Sequence, residues 1–93
     1  MVKSLSALGL MAANGANPEL SGIAVDSREV RKGFLFAAMP GVKVHGASFV
    51  KTALELGAVA ILTDPEGAAL ASEEISEFGA AVVISDKPRE ALS

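Results

Sequence analysis

The chain contains no cysteine, a single histidine and four aromatic residues, all of them phenylalanine. Without cysteine it has no disulfides, thiolate nucleophiles or cysteine-ligated zinc sites, and one histidine cannot build a histidine-rich metal site. No apolar run approaches the roughly 20 residues that a membrane-spanning helix needs. These absences exclude thiol chemistry and a spanning helix, and they are compatible with a reducing compartment.

The remaining composition predicts one small domain with a core of small side chains. Ninety-three residues allow a single domain, and apolar residues make up 51% of them while aromatics make up only 4%. The net charge of −3 argues against general nucleic-acid binding. Between residues 28 and 51, however, the sequence contains five basic residues and one acidic residue. That cluster is compatible with an anionic ligand, but ordinary surface charge is the preferred explanation when charge is the only evidence.

Alternating strand and helix patterns place the chain in the α/β class, with a small, mostly parallel sheet flanked by helices. We predict strands at 21–26, 34–39, 58–63 and 80–85, and helices at 46–56 and 68–78. Residues 64–67 are interpreted as a turn, and Pro88 is expected to open a further helix. Because that helix has barely begun at Ser93, we expect the sequence to be one domain cut from a longer protein.

The first residues allow two interpretations. Apolar side chains at helical spacing predict a short amphipathic helix; they are Leu5, Leu8 and Met11. Lys3 followed by a partly apolar stretch also imitates an export signal, but Ser6 and Gly9 interrupt it. The helix is the favoured interpretation.

Two polar segments follow predicted strands and indicate a binding pocket. Asp26-Ser27-Arg28 ends the first strand, and the loop Gly41–Gly46 follows the second. Ligands of open α/β sheets bind at the carboxyl ends of strands, in such loops. The helix expected from Gly46 would offer backbone amides to an anion. A purely structural turn is the competing explanation for Asp26, Ser27 and Arg28.

Catalysis is a weaker hypothesis than binding. Ser27 has one histidine, His45, as a possible base, and alternation along an extended chain would turn Asp26 away from Ser27. His45 is interpreted as a residue that starts a helix rather than as a ligand contact. Neither a G-x-x-x-x-G-K-[ST] loop nor a G-x-G-x-x-G motif is present. We therefore predict no catalytic residue and no metal site in this chain.

The same residues resemble the N-terminal domain of the Mur ligases, the ATP-dependent amino-acid ligases of peptidoglycan synthesis. The shared pattern is D-S-R, a short basic spacer, G-x-L-F-x-A, a glycine, [DH]-G, F-x-x-x-A and G-A-x-A. Here it is carried by Asp26-Ser27-Arg28, Val30-Arg31-Lys32, Gly33 to Ala37, Gly41, His45-Gly46, Phe49, Ala53 and Gly57 to Ala60. The resemblance covers about residues 20–92. His45 departs from the commoner aspartate, which puts a carboxylate role at that position in doubt.

The resemblance implies that this domain holds the UDP end of UDP-N-acetylmuramoyl-L-Ala-D-Glu. The family's contacts match Val25, Ser27, Val42, Lys43 and Val44, the last three mainly through backbone groups. Residues implied to support the site are Asp26, Arg28, Gly41, His45 and Gly46. Asp26 and Arg28 are assigned mainly to holding the turn.

The resemblance also implies what the chain lacks. In the family a central domain carries ATP, Mg²⁺ and a carbamylated lysine, and a C-terminal domain brings the incoming amino acid. The ending Pro88-Arg89-Glu90-Ala91-Leu92 resembles the branch that adds the third residue, diaminopimelate or lysine, rather than the branch that adds D-Ala-D-Ala. The alternatives are a stand-alone domain binding an anionic small molecule, and an interaction domain whose basic surface docks a partner.

Overall fold

The computed structural model describes residues 3–41 and 44–91. A short antiparallel pair, β1 (Lys3–Ser4) and β2 (Glu19–Leu20), precedes the main sheet. The main sheet has four parallel strands in sequential order: β3 (Gly22–Ala24), β4 (Phe34–Ala38), β5 (Ala60–Thr63) and β6 (Ala81–Ile84). The α/β class, the parallel sheet and the four predicted strands are thus confirmed, with observed strands one to three residues shorter.

Helices follow β4, β5 and β6. They are α1 (Val50–Glu55), α2 (Pro65–Leu70), α3 (Ser72–Phe78) and α4 (Pro88–Ala91). Single 3₁₀ turns lie at Ser6–Leu8, Ser27–Glu29 and Gly46–Phe49. In a sequentially ordered parallel sheet, right-handed connections all cross the same face, so the helices between the strands gather on one side. No helix within the described ranges is long and apolar enough to cross a membrane.

Both faces of the sheet are buried, by different parts of the chain. On the helical face, Phe36 and Ile61 are paired across β4 and β5 and pack with Val50 and Leu54 of α1. On the opposite face, Leu35 and its neighbours pack against the segment that precedes β3. Strand β4 is accordingly buried on both sides, as its continuous apolar run predicts.

The N-terminal segment covers its face without the amphipathic helix that we expected. Leu5 is fully buried, but the helical hydrogen bonding stops after Leu8, and Met11 is 85% exposed. Gly9 ends the turn in the left-handed region at φ 78°. Polar side chains also compete for the backbone here, since Asn17 accepts a hydrogen bond from the Ser6 amide at 3.0 Å. The apolar spacing therefore reflects packing of an irregular segment.

Asn14 closes part of the outer edge of β6. Its side-chain amide donates to the Ala80 carbonyl at 2.9 Å and accepts from the Val82 amide at 3.4 Å. The neighbouring Ala13 amide donates to the Val82 carbonyl at 2.6 Å. One asparagine thus supplies the donor and the acceptor that an added strand would offer.

Two predicted helices are interrupted. The helix expected at 46–56 begins as a 3₁₀ turn and becomes α-helical only at Val50, because Phe49 has non-helical angles of φ −105° and ψ 5°. The segment 64–67, interpreted as a turn, instead starts α2: Asp64 caps it and Pro65 occupies the first turn. Ala71, at φ −108°, then separates α2 from α3.

Candidate functional site

A pocket of about 690 Å³ opens at the carboxyl ends of β3 and β4. This is the place where parallel sheets present ligand sites. Its lining residues are Val25, Asp26, Ser27, Arg28, Phe36, Met39, Val44, Gly46, Phe49 and Thr52. The pocket is therefore mostly apolar, with a charged turn at one side, as is common for small-molecule sites.

The charged turn is held by its own side chains. Asp26 Oδ1 accepts from the Arg28 amide at 2.9 Å and from Arg28 Nε at 3.0 Å, while Oδ2 accepts from Arg28 Nη2 at 2.7 Å. The side-chain hydrogen bond from Arg28, followed by the one from its amide, lowers the pKa of Asp26 to about 2. Ser27, at the start of the 3₁₀ turn, is only 8% exposed. Arg28 stays 85% exposed, so its remaining donors are open to a ligand.

The glycine-bounded loop forms another wall. Gly46 donates its amide to the Met39 carbonyl at 2.8 Å, and a Cβ there would lie 2.7 Å from Met39 N. Only glycine allows this approach of the loop to the end of β4. At Gly41 an added Cβ would meet the Val44 carbonyl, so this glycine lets the loop fold onto itself. Val42 and Lys43 lie outside the described residues.

His45 does not line the pocket with Ser27 and caps the 3₁₀ turn Gly46–Phe49 instead. Its Nδ1 accepts from the Ala47 amide at 2.9 Å, so Nδ1 carries no proton and Nε2 does. Nε2 donates to Asp64 Oδ1 at 2.7 Å. That oxygen also accepts from the Gly67 amide at 2.7 Å, and this bond first, followed by the bond from His45, lowers the pKa of Asp64. With both imidazole nitrogens engaged, Ser27 has no base in His45.

Of the residues proposed from the sequence, the structure brings six into the pocket lining: Val25, Asp26, Ser27, Arg28, Val44 and Gly46. Gly41 and His45 lie beside it without lining it. Of the basic cluster, Arg28 lines the pocket, whereas Arg31, Lys32 and Lys51 do not. Among residues 3–41 and 44–91, no group of three or more acidic, histidine or cysteine side chains could hold a metal ion.

Sequence reasoning missed four lining residues: Phe36, Met39, Phe49 and Thr52. Phe36 and Met39 belong to an apolar run that predicts only core. Phe49 fits the apolar stripe of a continuous helix, but the 3₁₀ start turns the ring outward, and it is 45% exposed. No signal in the sequence marks Thr52.

The fold and this pocket define an α/β domain with a mostly apolar pocket at the carboxyl ends of parallel strands. The family described as "Mur ligase family, catalytic domain" matches residues 19–93. The chain belongs to the Mur ligase family.

Curated relatives agree with this membership. The UDP-N-acetylmuramoyl-L-alanyl-D-glutamate--2,6-diaminopimelate ligase of Streptomyces coelicolor is 48% identical over 82 residues, covering 88% of this chain and 15% of that protein. The ligases of the same name from Streptomyces avermitilis and Zymomonas mobilis are 52% and 43% identical, covering 76% and 77% of this chain and 13% of each relative. The chain thus spans about one seventh of these relatives.

A solved structure supports the fold alone. The crystal structure of MurF from Acinetobacter baumannii superimposes with a TM-score of 0.68 at 19% identity, over 98% of this chain and 19% of that one. At this identity the likeness extends to the arrangement of helices and strands and not to the site.

Proposed function

We propose that this chain is the UDP-sugar-binding N-terminal domain of an ATP-dependent ligase that extends UDP-N-acetylmuramoyl-L-Ala-D-Glu in peptidoglycan synthesis. The observation that carries the proposal is the pocket formed by the Ser27 turn and the loop ending at Gly46, two segments that also carry the family pattern. Its apolar walls suit a flat pyrimidine ring, and Arg28 suits the diphosphate. Val25, Ser27 and residues 42–44 are the proposed contacts.

The reaction of the whole protein is proposed from its relatives. Their names favour the third-residue branch, UDP-N-acetylmuramoyl-tripeptide synthetase, with diaminopimelate as the incoming amino acid. ATP and Mg²⁺ would then act in a central domain, activating the D-Glu carboxylate as an acyl phosphate for attack by an amine. The whole ligase would work in the bacterial cytoplasm, without nucleic acid or membrane as partners. The 93-residue chain alone is expected to be inactive.

The first experiment is an NMR titration of the ¹⁵N-labelled chain with UDP-N-acetylmuramic acid, with UMP and AMP as controls. We expect shifts clustered at residues 25–28 and 41–46, and a preference for uridine over adenosine. Ser27→Ala should weaken binding about fivefold, because it removes one hydrogen-bonding group from a buried position. A site elsewhere, or equal response to UMP and AMP, contradicts the proposal.

The same titration separates the competing functions. A stand-alone anion-binding domain would respond to UMP and AMP alike, without a gain from the N-acetylmuramic acid portion. An interaction domain would respond to none of these ligands. The D-Ala-D-Ala branch shares the uridine site, so ligation assays on the whole protein with diaminopimelate and D-Ala-D-Ala decide between the branches.

A further inference from the structure

His45 occupies a special position relative to the pocket. The residues on either side of it, Val44 and Gly46, both line the pocket, whereas His45 does not. Its imidazole points instead toward the start of α2 and is only 7% exposed. A side chain buried between two ligand-facing residues is well placed to set their position.

The hydrogen bonds of the imidazole join two separate parts of the chain. Nδ1 is bonded within the loop's own turn, to the amide of Ala47, and Nε2 reaches Asp64, nineteen positions further on. The two bonds use opposite capacities of one neutral ring, an acceptor and a donor. The ring therefore connects the local turn to a residue anchored elsewhere in the fold.

Asp64 is anchored independently of His45. Its Oδ1 also accepts from the Gly67 amide, which caps α2, and α2 follows directly after the buried strand β5. The caps of the two helical segments thus meet at one carboxylate oxygen. A displacement of the loop end away from α2 would lengthen or break the bond from Nε2.

Gly67 provides a second, independent indication that this packing is specific. Glycine inside a helix costs about 1 kcal/mol relative to alanine. Here a Cβ would lie 2.6 Å from His45 Cε1, and it would also collide with Thr63 Oγ1, which is fully buried and bonded to the Ala38 carbonyl at 2.9 Å. The helix therefore carries a glycine at the position where Thr63 first, and then the imidazole, leave no room for a Cβ.

We propose that His45 is a positioning residue: its bond to Asp64 ties the end of the glycine-bounded loop to α2 and so holds Val44 and Gly46 in the pocket wall. The inference rests on the proposed function for the identity of the ligand. It assigns a role in ligand affinity to His45 and to Asp64, which also lies outside the pocket lining.

The test uses variants that cut this tie but keep both helix caps. Asp64→Ser retains a good capping residue for α2, but its side chain is too short to reach the imidazole. His45→Asn keeps an acceptor for the Ala47 amide and loses the arm that reaches Asp64. Asp64→Asn is the matched conservative variant, because its amide oxygen can accept both bonds. Ser21→Ala, which removes a 2.7 Å hydrogen bond to the Lys32 carbonyl at the opposite end of the sheet, controls for loss of stability.

We expect Asp64→Ser and His45→Asn to bind UDP-N-acetylmuramic acid about threefold to tenfold more weakly than the parent chain, the equivalent of one net hydrogen bond. The affinities of Asp64→Asn and Ser21→Ala should stay within about twofold of that of the parent chain. This should hold even if one of these variants unfolds at a lower temperature. Unchanged affinity in both tie-cutting variants overturns the inference. An equal loss in Ser21→Ala also overturns it, because the effect would then follow stability.

A ligand-independent measurement keeps this test separate from the proposed function. In the unliganded chain, long-range ¹H–¹⁵N spectra should show His45 protonated at Nε2 and not at Nδ1. The amide resonances of Val44 and Gly46 should shift in Asp64→Ser, a substitution about twenty positions away in the sequence. If the parent chain binds no uridine ligand, the proposed function fails. These spectra then still test whether the His45–Asp64 hydrogen bond holds the end of the loop in place. A protonated Nδ1, or unshifted Val44 and Gly46 resonances in Asp64→Ser, contradicts it.

Discussion

Asp26 and His45 cap their turns in the same way, since each side chain accepts a hydrogen bond from the amide two residues later and starts a 3₁₀ turn. Their other contacts differ. Asp26 pairs with Arg28, which is exposed and belongs to the same turn, whereas His45 bonds to a distant and largely buried carboxylate. One side of the pocket is thus built from local interactions, and the other depends on the tertiary fold.

This difference predicts where the domain tolerates change. An exposed ion pair is screened by water and contributes little to stability, while groups buried with shared hydrogen bonds are costly to disturb. Substitution of the exposed Arg28 should therefore affect binding without affecting folding. Substitutions around His45 should affect both.

The largest effect is expected from Gly67→Ala, which fills the space beside the imidazole. Overpacking at Thr63 and His45 should outweigh the helix-propensity gain and destabilise the domain by about 2 kcal/mol. Chemical denaturation measures the change, with Glu66→Ala on the exposed side of α2 as the control. Helix propensity alone predicts that alanine stabilises the domain. An increase in the free energy of unfolding would therefore contradict the packing described for His45.

A smaller loss is expected from His45→Ala. It leaves the Ala47 amide without its cap and removes a donor from Asp64, which should cost about 1–2 kcal/mol. Thermal and chemical denaturation measure this loss. Ser48→Ala, which changes an exposed residue of the same turn, is the control. Equal stability of the two variants would show that the buried bonds of His45 add nothing to folding.

The smallest change in stability is expected from Arg28→Ala. Since Arg28 holds the pKa of Asp26 at about 2, its removal should raise that pKa toward the ordinary 3.8. Because the folded-state pKa is depressed, any stabilisation by Asp26 is present above pH 3.8 and lost as pH falls toward 2. Carboxyl ¹³C NMR follows the titration, and denaturation at neutral pH should show no measurable change. An unmoved Asp26 titration would contradict the pairing.

The sequence predicts the Asp26 turn better than the His45 turn, because the two turns depend on contacts at different sequence distances. Asp26, Ser27 and Arg28 interact within three residues, so the motif itself contains the partners. The parallel sheet can be predicted equally well, because apolar runs of strand length alternate with helical patterns from Phe34 to Ile84. Both follow from short-range patterns.

The missed features depend on contacts distant in sequence. Asp64-Pro65 is a helix-start signal as well as a turn signal, and the hydrogen bond between Asp64 and His45 is a contact that no local pattern in the sequence predicts. Phe49 was missed for a local reason instead, because the 3₁₀ turn Gly46–Phe49 interrupts the continuous helix that its spacing predicts. The pocket's apolar residues could not be separated from core residues, since burial and ligand contact select the same side chains.

Asn14 has a consequence for how this domain behaves at high concentration. An exposed sheet edge invites strands of other molecules to add to it, and charged residues, bulges or coverage commonly prevent this. Here one side-chain amide and its neighbour occupy the backbone groups of Ala80 and Val82. Resistance to edge-to-edge aggregation therefore depends on an irregular segment that forms no strand at that edge.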